Sequence, residues 1–245
     1  MTPRRTTGLA AGLLLAAAAV AQEPKAEPST AQPGQKVPDT FRAFLVADDR
    51  FPPKVSPPTK AEDRDPRDRT RKMHDLVGEN GLSPVVAVFV RADPKELGDS
   101  GVVKLAKAVD KIVPKYRADR LAGFVQFLRI EGAAKSVTLT NPDGTTKVVE
   151  LDAEFPDDEK RDLHAADVFQ LAKSAAAPNV PVGLAPVTSR SATAWGLKAE
   201  DAVTVVIYNR LRVEGRWVFP AAGPTDGQVA EIIKATEAMI DGPIK

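Results

Sequence analysis

Hydrophobic and polar positions follow two different periods along the chain, and each period predicts one kind of element. Residues 84–90, PVVAVFV, form a continuous apolar and β-branched run, which is typical of a strand buried on both faces of a sheet. The next apolar positions recur at intervals of three and four, which predicts an amphipathic helix capped by Asp99 or Ser100 and ended at Pro114. Its apolar face comprises Val102, Leu105, Ala106, Val109, Ile112 and Val113.

Strand and helix patterns also occur on both sides of this unit. Residues 41–46, 121–130 and 180–187 predict strands, and Pro181 makes the last of these an edge strand or marks its start. Residues 70–77 predict a short helix that ends in a glycine-containing turn.

Two further helices are predicted nearer the end of the chain. Residues 157–176 form an amphipathic helix whose apolar face comprises Ala165, Val168, Phe169, Ala172 and Ala176. The last helix begins at a capping box of Thr225 and Gln228 and stops at Asp241-Gly-Pro.

Two β-hairpins complete the pattern. Residues 137–140 and 147–151 flank the turn Asn-Pro-Asp-Gly at 141–144, which predicts an inserted hairpin. The second hairpin lies within residues 196–219 and turns at Asn209-Arg210. The whole order predicts an α/β domain with a mostly parallel sheet, helices on both faces and an antiparallel edge.

The first 39 residues do not fit this domain pattern. Arg4 and Arg5 precede a short apolar run, and a small-x-small site predicts cleavage between Ala21 and Gln22, so residues 1–21 are interpreted as a secretory signal peptide. The alternative is a membrane helix, but the run is shorter than the roughly 20 apolar residues that span a bilayer. The two arginines leave twin-arginine export open.

Composition predicts a disordered linker over residues 22–39 and one domain over residues 40–245. The chain has 34 basic and 33 acidic residues without a long block of one sign, which argues against nucleic acid as a partner. It has no cysteine, so an exported form has no disulfide and no lipid anchor at the cleavage point.

The order of elements resembles the thioredoxin-like fold in the larger form of peroxiredoxins and TlpA-type proteins. The resemblance is carried by residues 84–90, the loop that opens the next helix, residues 121–128, and the terminal strand-turn-strand-helix from Asp201. It covers roughly residues 41–240, and the chain looks like the exported thioredoxin-like proteins found in some bacteria. The resemblance implies a redox site where the loop after residue 90 opens its helix.

This chain departs from that family at both halves of the implied site. The loop at residues 91–101 carries Asp93, Pro94 and Ser100 where the family has a redox cysteine at a helix N-terminus, the place that stabilises a thiolate. Where the family has a cis-proline before a strand, this chain has Ala202 and Val203. These five positions are interpreted as a degenerate redox site.

Asp75 and Gly78 have the spacing of a Cys-x-x-Cys motif, and the sequence leaves open whether they are its remnant or a helix end. His74 and His164 are the only histidines and are interpreted as surface residues, so no metal or other cofactor is predicted. No Gly-x-Ser-x-Gly elbow and no phosphate-binding glycine loop is present.

Three functions remain open at this point. The chain is interpreted as an exported thioredoxin-fold protein without thiol chemistry, acting as a binding or structural module on an unknown protein or small-molecule partner. The alternatives are a redox-associated protein that binds clients without reacting, and a non-thiol enzyme on the same scaffold. After signal cleavage no membrane anchor is expected.

Overall fold

The computed structural model describes residues 31–50 and 68–242. The predicted signal peptide, its cleavage site at Ala21 and Gln22, the first nine residues of the predicted linker, and most of the proline-rich segment after residue 50 lie outside the described residues.

Seven strands form the main sheet and two form a separate hairpin. The strands are β1 (Arg42–Ala47), β2 (Met73–Asp75), β3 (Val85–Val90), β4 (Ala122–Leu128), β5 (Ala133–Thr140), β6 (Thr146–Glu154), β7 (Val182–Ala185), β8 (Val203–Asn209) and β9 (Arg212–Phe219). The main sheet has the order β2-β1-β7-β4-β3-β8-β9, in which β3, β4 and β7 are parallel. β8 runs antiparallel to β3, and β5 pairs with β6 alone.

Five α-helices connect these strands: α1 (Leu76–Asn80), α2 (Gly101–Ile112), α3 (Asp158–Ala175), α4 (Arg190–Ala194) and α5 (Asp226–Asp241). A 3-10 turn, Pro94–Glu96, precedes α2. The predicted α/β sheet with helices on both faces and nearly all its elements are therefore present, but the sheet is mixed and not mostly parallel. Among the described strands, only the β3–β4 and β4–β7 pairings are parallel, because β1 and β8, which flank these three strands, run antiparallel to them. β7 lies inside the sheet, between β1 and β4, and Pro181 immediately precedes it, so this proline marks a strand start and not an edge.

β3 is buried along its whole length because the sheet is covered on both faces. Val86, Val88 and Val90 belong to one apolar core, with α2, α3 and α5 packed on it. The alternate positions, which include Phe89, belong to a second core. This second core is aromatic, and its rings meet at centroid distances of 4.8–6.1 Å among Phe41, Phe89, Phe124, Trp195 and Tyr208.

The terminal hairpin of β8 and β9 turns at Arg210 and Leu211. Both residues have positive φ, 51° and 59°, although neither is glycine. Such turns favour Asn-Gly because a Cβ opposes this conformation, so the turn holds local strain of about 1 kcal/mol or more per residue. The strain is held in place because Leu211 packs against the aromatic core and its carbonyl accepts the N–H of Val37.

Three sequence expectations need correction. Residues 73–75 form an edge strand, and α1 begins only at Leu76, so the helix predicted over residues 70–77 is wrong. Phe169 is 45% exposed, while Leu171 is buried on the face of α3 that meets the sheet. Ala31 is fully buried, and Gly34 and Val37 donate to β9 and its turn, so at least the last nine residues of the predicted linker belong to the folded domain.

Asp75 is the N-cap of α1, and its carboxylate accepts the N–H groups of Val77 and Gly78. The spacing of Asp75 and Gly78 is therefore that of a helix start. α1 precedes β3 and so lies at the opposite end of that strand from the loop at residues 91–101.

Candidate functional site

The loop at residues 91–101 lies beside the step before β8, as the redox-site interpretation requires. The N–H of Arg91 donates to the carbonyl of Ala202 at 2.8 Å, and Val90 pairs with Val203 in the sheet. The positions that sequence analysis singled out at Ala202 and Val203 are thus adjacent to the start of the loop. That they are the remnant of a redox site stays a prediction.

Asp93 fixes the first half of the loop. Its carboxylate accepts the N–H of Lys95 at the start of the 3-10 turn and pairs with the Arg129 guanidinium at 2.9 Å. The Lys95 N–H, followed by the Arg129 charge, lowers the pKa of Asp93 below its usual range. Arg129 follows β4, so the carboxyl ends of two neighbouring parallel strands are joined by one ion pair.

Further contacts hold the loop in place after Asp93. Lys95 pairs with Asp167 of α3 at 3.1 Å, and the Leu97 side chain is buried in the core beneath the sheet. Pro94 is buried as well, at the first position of the 3-10 turn. A loop held by two ion pairs and two buried apolar side chains is a poor candidate for a moving lid.

The N-terminus of α2 is closed by main-chain atoms. The Gly101 N–H donates to the Ala222 carbonyl at 2.9 Å, and a Cβ on Gly101 would lie only 1.9 Å from the Pro224 carbonyl oxygen. On Gly223, where φ is +76°, a Cβ would lie 2.7 Å from the backbone nitrogen of Val102. The segment between β9 and α5 therefore fills the space in front of the first turn of α2.

Ser100 is the N-cap residue of α2 but makes no side-chain cap hydrogen bond. Its Oγ is buried and has no hydrogen-bond partner. No general base is hydrogen-bonded to it, because the Oγ has no partner; His74 lies on β2, separated from β3 by three strands, and pairs there with Glu79 at 2.7 Å. Ser100 therefore lacks the general base that a serine nucleophile needs.

Two partly buried arginines stabilise the segment that leads to Ala202. The Arg91 guanidinium donates to the Leu197 carbonyl at 2.9 Å, and Arg216 donates to the carbonyls of Trp195 and Gly196 at 2.9 and 2.8 Å. Asp201 supplies the opposing charge, 3.9 Å from Arg216. Burial lowers the pKa of both arginines, although they remain cations at any physiological pH.

Sequence reasoning found the loop but missed its partners. Arg129 was detectable, because it directly follows an apolar strand whose carboxyl end had to meet that of β3. The sequence around Arg216 does not indicate its role, because its hydrogen-bond partner Gly196 lies 20 positions away. The same holds for the segment at residues 222–224, which contacts Gly101 more than 100 positions away. The described residues hold no group of three or more His, Cys, Asp or Glu side chains that could bind a metal ion.

Comparison with known proteins identifies the fold. No protein-family model matches the chain, and no curated protein matches it. Among solved structures it is similar to AhpC from Mycobacterium bovis, with 9% identity, coverage of 88% of this chain and 96% of that one, and a TM-score of 0.50.

Two further similar structures are more distant in shape. A Chlorobium tepidum protein assigned as a thiol:disulfide interchange protein DsbE shows 12% identity over 86% of this chain and 99% of that chain, with a TM-score of 0.49. A 2-Cys peroxiredoxin from Plasmodium vivax shows 13% identity over 84% and 81%, with a TM-score of 0.44. The strand order together with the AhpC likeness gives this chain the thioredoxin-like fold, which confirms the expectation from sequence.

Over residues 31–50 and 68–242, no helix is both long enough and apolar enough to span a bilayer.

Proposed function

We propose that this chain is an exported thioredoxin-fold protein without thiol redox chemistry, which acts as a binding or structural module. The fold gives it a scaffold whose relatives in shape include proteins named for disulfide exchange. The chain itself has no cysteine anywhere in its 245 residues.

The observation that carries the proposal is the closure of α2. A redox thiolate is stabilised by free N–H groups and the positive dipole end at the start of a helix. In this chain the Gly101 N–H is bonded to Ala222, and the backbone of Gly223 and Pro224 fills the adjoining space. This packing and the buried Ser100 Oγ argue that a substrate disulfide or peroxide has poor access to the start of that helix.

The charges around the loop support the same proposal. Asp93 is neutralised by Arg129, Lys95 by Asp167, and Arg216 by Asp201. Charges that pair with one another stabilise the scaffold, but they do not supply the unpaired charge that would polarise a substrate.

A cysteine introduced at the start of α2 tests the loss of chemistry. Ser100→Cys places a thiol where the serine Oγ is buried, and Ser136→Cys places one at an exposed position of β5 as the matched control. We expect the Ser100→Cys thiol to react with a disulfide reagent about tenfold or more slowly than the control, because burial disfavours the thiolate.

The opposite result would count against the proposal. A Ser100→Cys thiol that reacts faster than Ser136→Cys, with an apparent pKa below that of a free cysteine, would show an open and activating helix terminus. Turnover of insulin disulfide or of peroxide by the unmodified protein would also contradict it.

Export is tested separately, since it rests on the sequence of residues 1–21. Expression of the full chain in a bacterial host should yield an extracytoplasmic protein whose N-terminus is Gln22. Ala21→Arg should leave the precursor uncleaved, because the cleavage site requires a small residue. Wild-type protein that stays in the cytoplasm with residues 1–21 attached would rule export out.

A further inference from the structure

A surface pocket lies at the opposite end of β3 from the loop at residues 91–101. It is an open pocket of about 590 Å³ between the β8–β9 turn, the residues just before β3 and the end of α5. That volume falls within the roughly 300–1,000 Å³ of small-molecule sites. Neither the comparisons with known proteins nor the closed N-terminus of α2 gives this pocket a role.

Four charged side chains of both signs line the pocket: Asp119, Arg210, Arg212 and Glu214. Within the described chain none of the four has an ion-pair partner, unlike the charges around the loop at residues 91–101. All four residues are exposed, so water solvates these charges when the pocket is empty, and charges of both signs stay available to a ligand that carries both.

The pocket also has an apolar part. Met239 and Ile240 line it on the α5 side and Leu82 lies at the rim, 66% exposed. Large apolar side chains next to free charges favour a ligand with one apolar group and charged ends.

The strained turn holds one of the cations in position. Arg210 has a φ of 51°, and its N–H donates to the Leu82 carbonyl at 3.3 Å across the pocket. Non-glycine residues in this conformation cluster at ligand sites, where the surrounding structure maintains them. The Arg210 backbone is thus fixed before any ligand arrives.

We propose that this pocket, the turn pocket, binds a small zwitterion of the amino-acid or short-peptide class with an apolar side chain. The ligand carboxylate pairs with Arg210 and Arg212, its ammonium group with Asp119 and Glu214, and its apolar side chain packs on Met239 and Ile240. Arginine suits the first role, because its planar donors match a carboxylate.

Other ligand classes fit the turn pocket less well. A nucleotide carries several negative charges that Asp119 and Glu214 would repel. A neutral sugar would leave all four charges unpaired while excluding water from them, and this costs free energy.

The test uses three probes with the full-length folded protein: alanyl-leucine, its N-acetyl form and its C-terminal amide. Calorimetric titration should show alanyl-leucine binding about tenfold more tightly than either blocked form, because each block removes one charge-assisted contact. Backbone amide shifts in the NMR spectrum should be confined to residues 82–83, 118–120, 209–214 and 238–242.

Two substitutions assign the ends of the ligand. Arg212→Gln should lower the preference for the acid over the amide severalfold, with Arg210 still in place, while preserving the preference over the acetylated form. Asp119→Asn should do the reverse. The exposed residues Arg42 and Glu159 lie elsewhere, so Arg42→Gln and Glu159→Gln should leave both ratios unchanged.

Several outcomes would overturn the proposal. They are no binding of any probe at millimolar concentration, equal binding of the free and blocked peptides, or ratios unaffected by Arg212→Gln and Asp119→Asn. Since the turn pocket and Ser100 lie at opposite ends of β3, none of these outcomes bears on the reactivity of a thiol at Ser100.

Discussion

Replacing Gly101 by alanine gives the sharpest check on the closure of α2. Alanine is normally the better residue in a helix, by about 0.5–1 kcal/mol. Here the new Cβ would lie 1.9 Å from the Pro224 carbonyl oxygen and 2.6 Å from the Pro224 nitrogen, which are both main-chain atoms. The closing segment must therefore move, because neither atom belongs to a side chain that can rotate away.

The expected cost follows from three contributions. Forcing atoms into a packed region costs about 1–3 kcal/mol, and loss of the Gly101–Ala222 hydrogen bond costs about 1 kcal/mol. Subtracting the helix-propensity gain leaves a loss of about 2 kcal/mol in the free energy of unfolding. For a domain of this size the melting temperature should fall by about 4–8 °C.

Gly227 provides a matched control, because it too lies in the first turn of a helix. A Cβ on Gly227 would have no atom within 4 Å, so Gly227→Ala should stabilise the protein by about 0.5 kcal/mol. Urea denaturation of both variants should show a lower free energy of unfolding for Gly101→Ala and a higher one for Gly227→Ala. If Gly101→Ala is as stable as wild type or more so, the segment at residues 222–224 does not close α2.

Three other predictions concern single side chains. Tyr208→Phe should leave stability unchanged or raise it by up to about 1 kcal/mol in thermal unfolding, because the buried hydroxyl has no partner; a larger loss would reveal one. Asp48→Asn should cost about 2 kcal/mol in chemical denaturation, because the buried carboxylate pairs with Arg50 and Arg69; a neutral effect would contradict these pairs. The lowered pKa of Asp93 stabilises the fold above the pKa of the unfolded state, and this stability is lost as pH falls through the folded pKa. Asp93→Asn should therefore flatten the pH dependence of the free energy of unfolding below about pH 4, and an unchanged profile would refute this.

The elements with a strong apolar period could be predicted from the sequence alone. β3 and α2 begin and end within two residues of their expected bounds, because burial on one or both faces dictates their residue types. β2 was missed because Met73-His74-Asp75 has no strand pattern of its own. It is a strand only because it pairs with β1.

The candidate site was less predictable, because its contacts join distant residues. Asp93 and Ser100 could be singled out by their place before a helix. The ion pair with Arg129 and the hydrogen bond from Gly101 to Ala222 depend on how strands and loops meet in space. Gly223 and Pro224 look like an ordinary turn in the sequence, and nothing there indicates that their backbone lies against the start of α2.

The backbone closure of α2 also determines how the helix terminus could be opened. The blocking atoms belong to peptide groups, which every amino acid carries, so exchanging side chains in that segment does not remove them. A cysteine introduced by one substitution would face the same peptide groups. Opening the terminus calls for a shorter or rerouted connection between β9 and α5, which is a change in chain length and not in residue type.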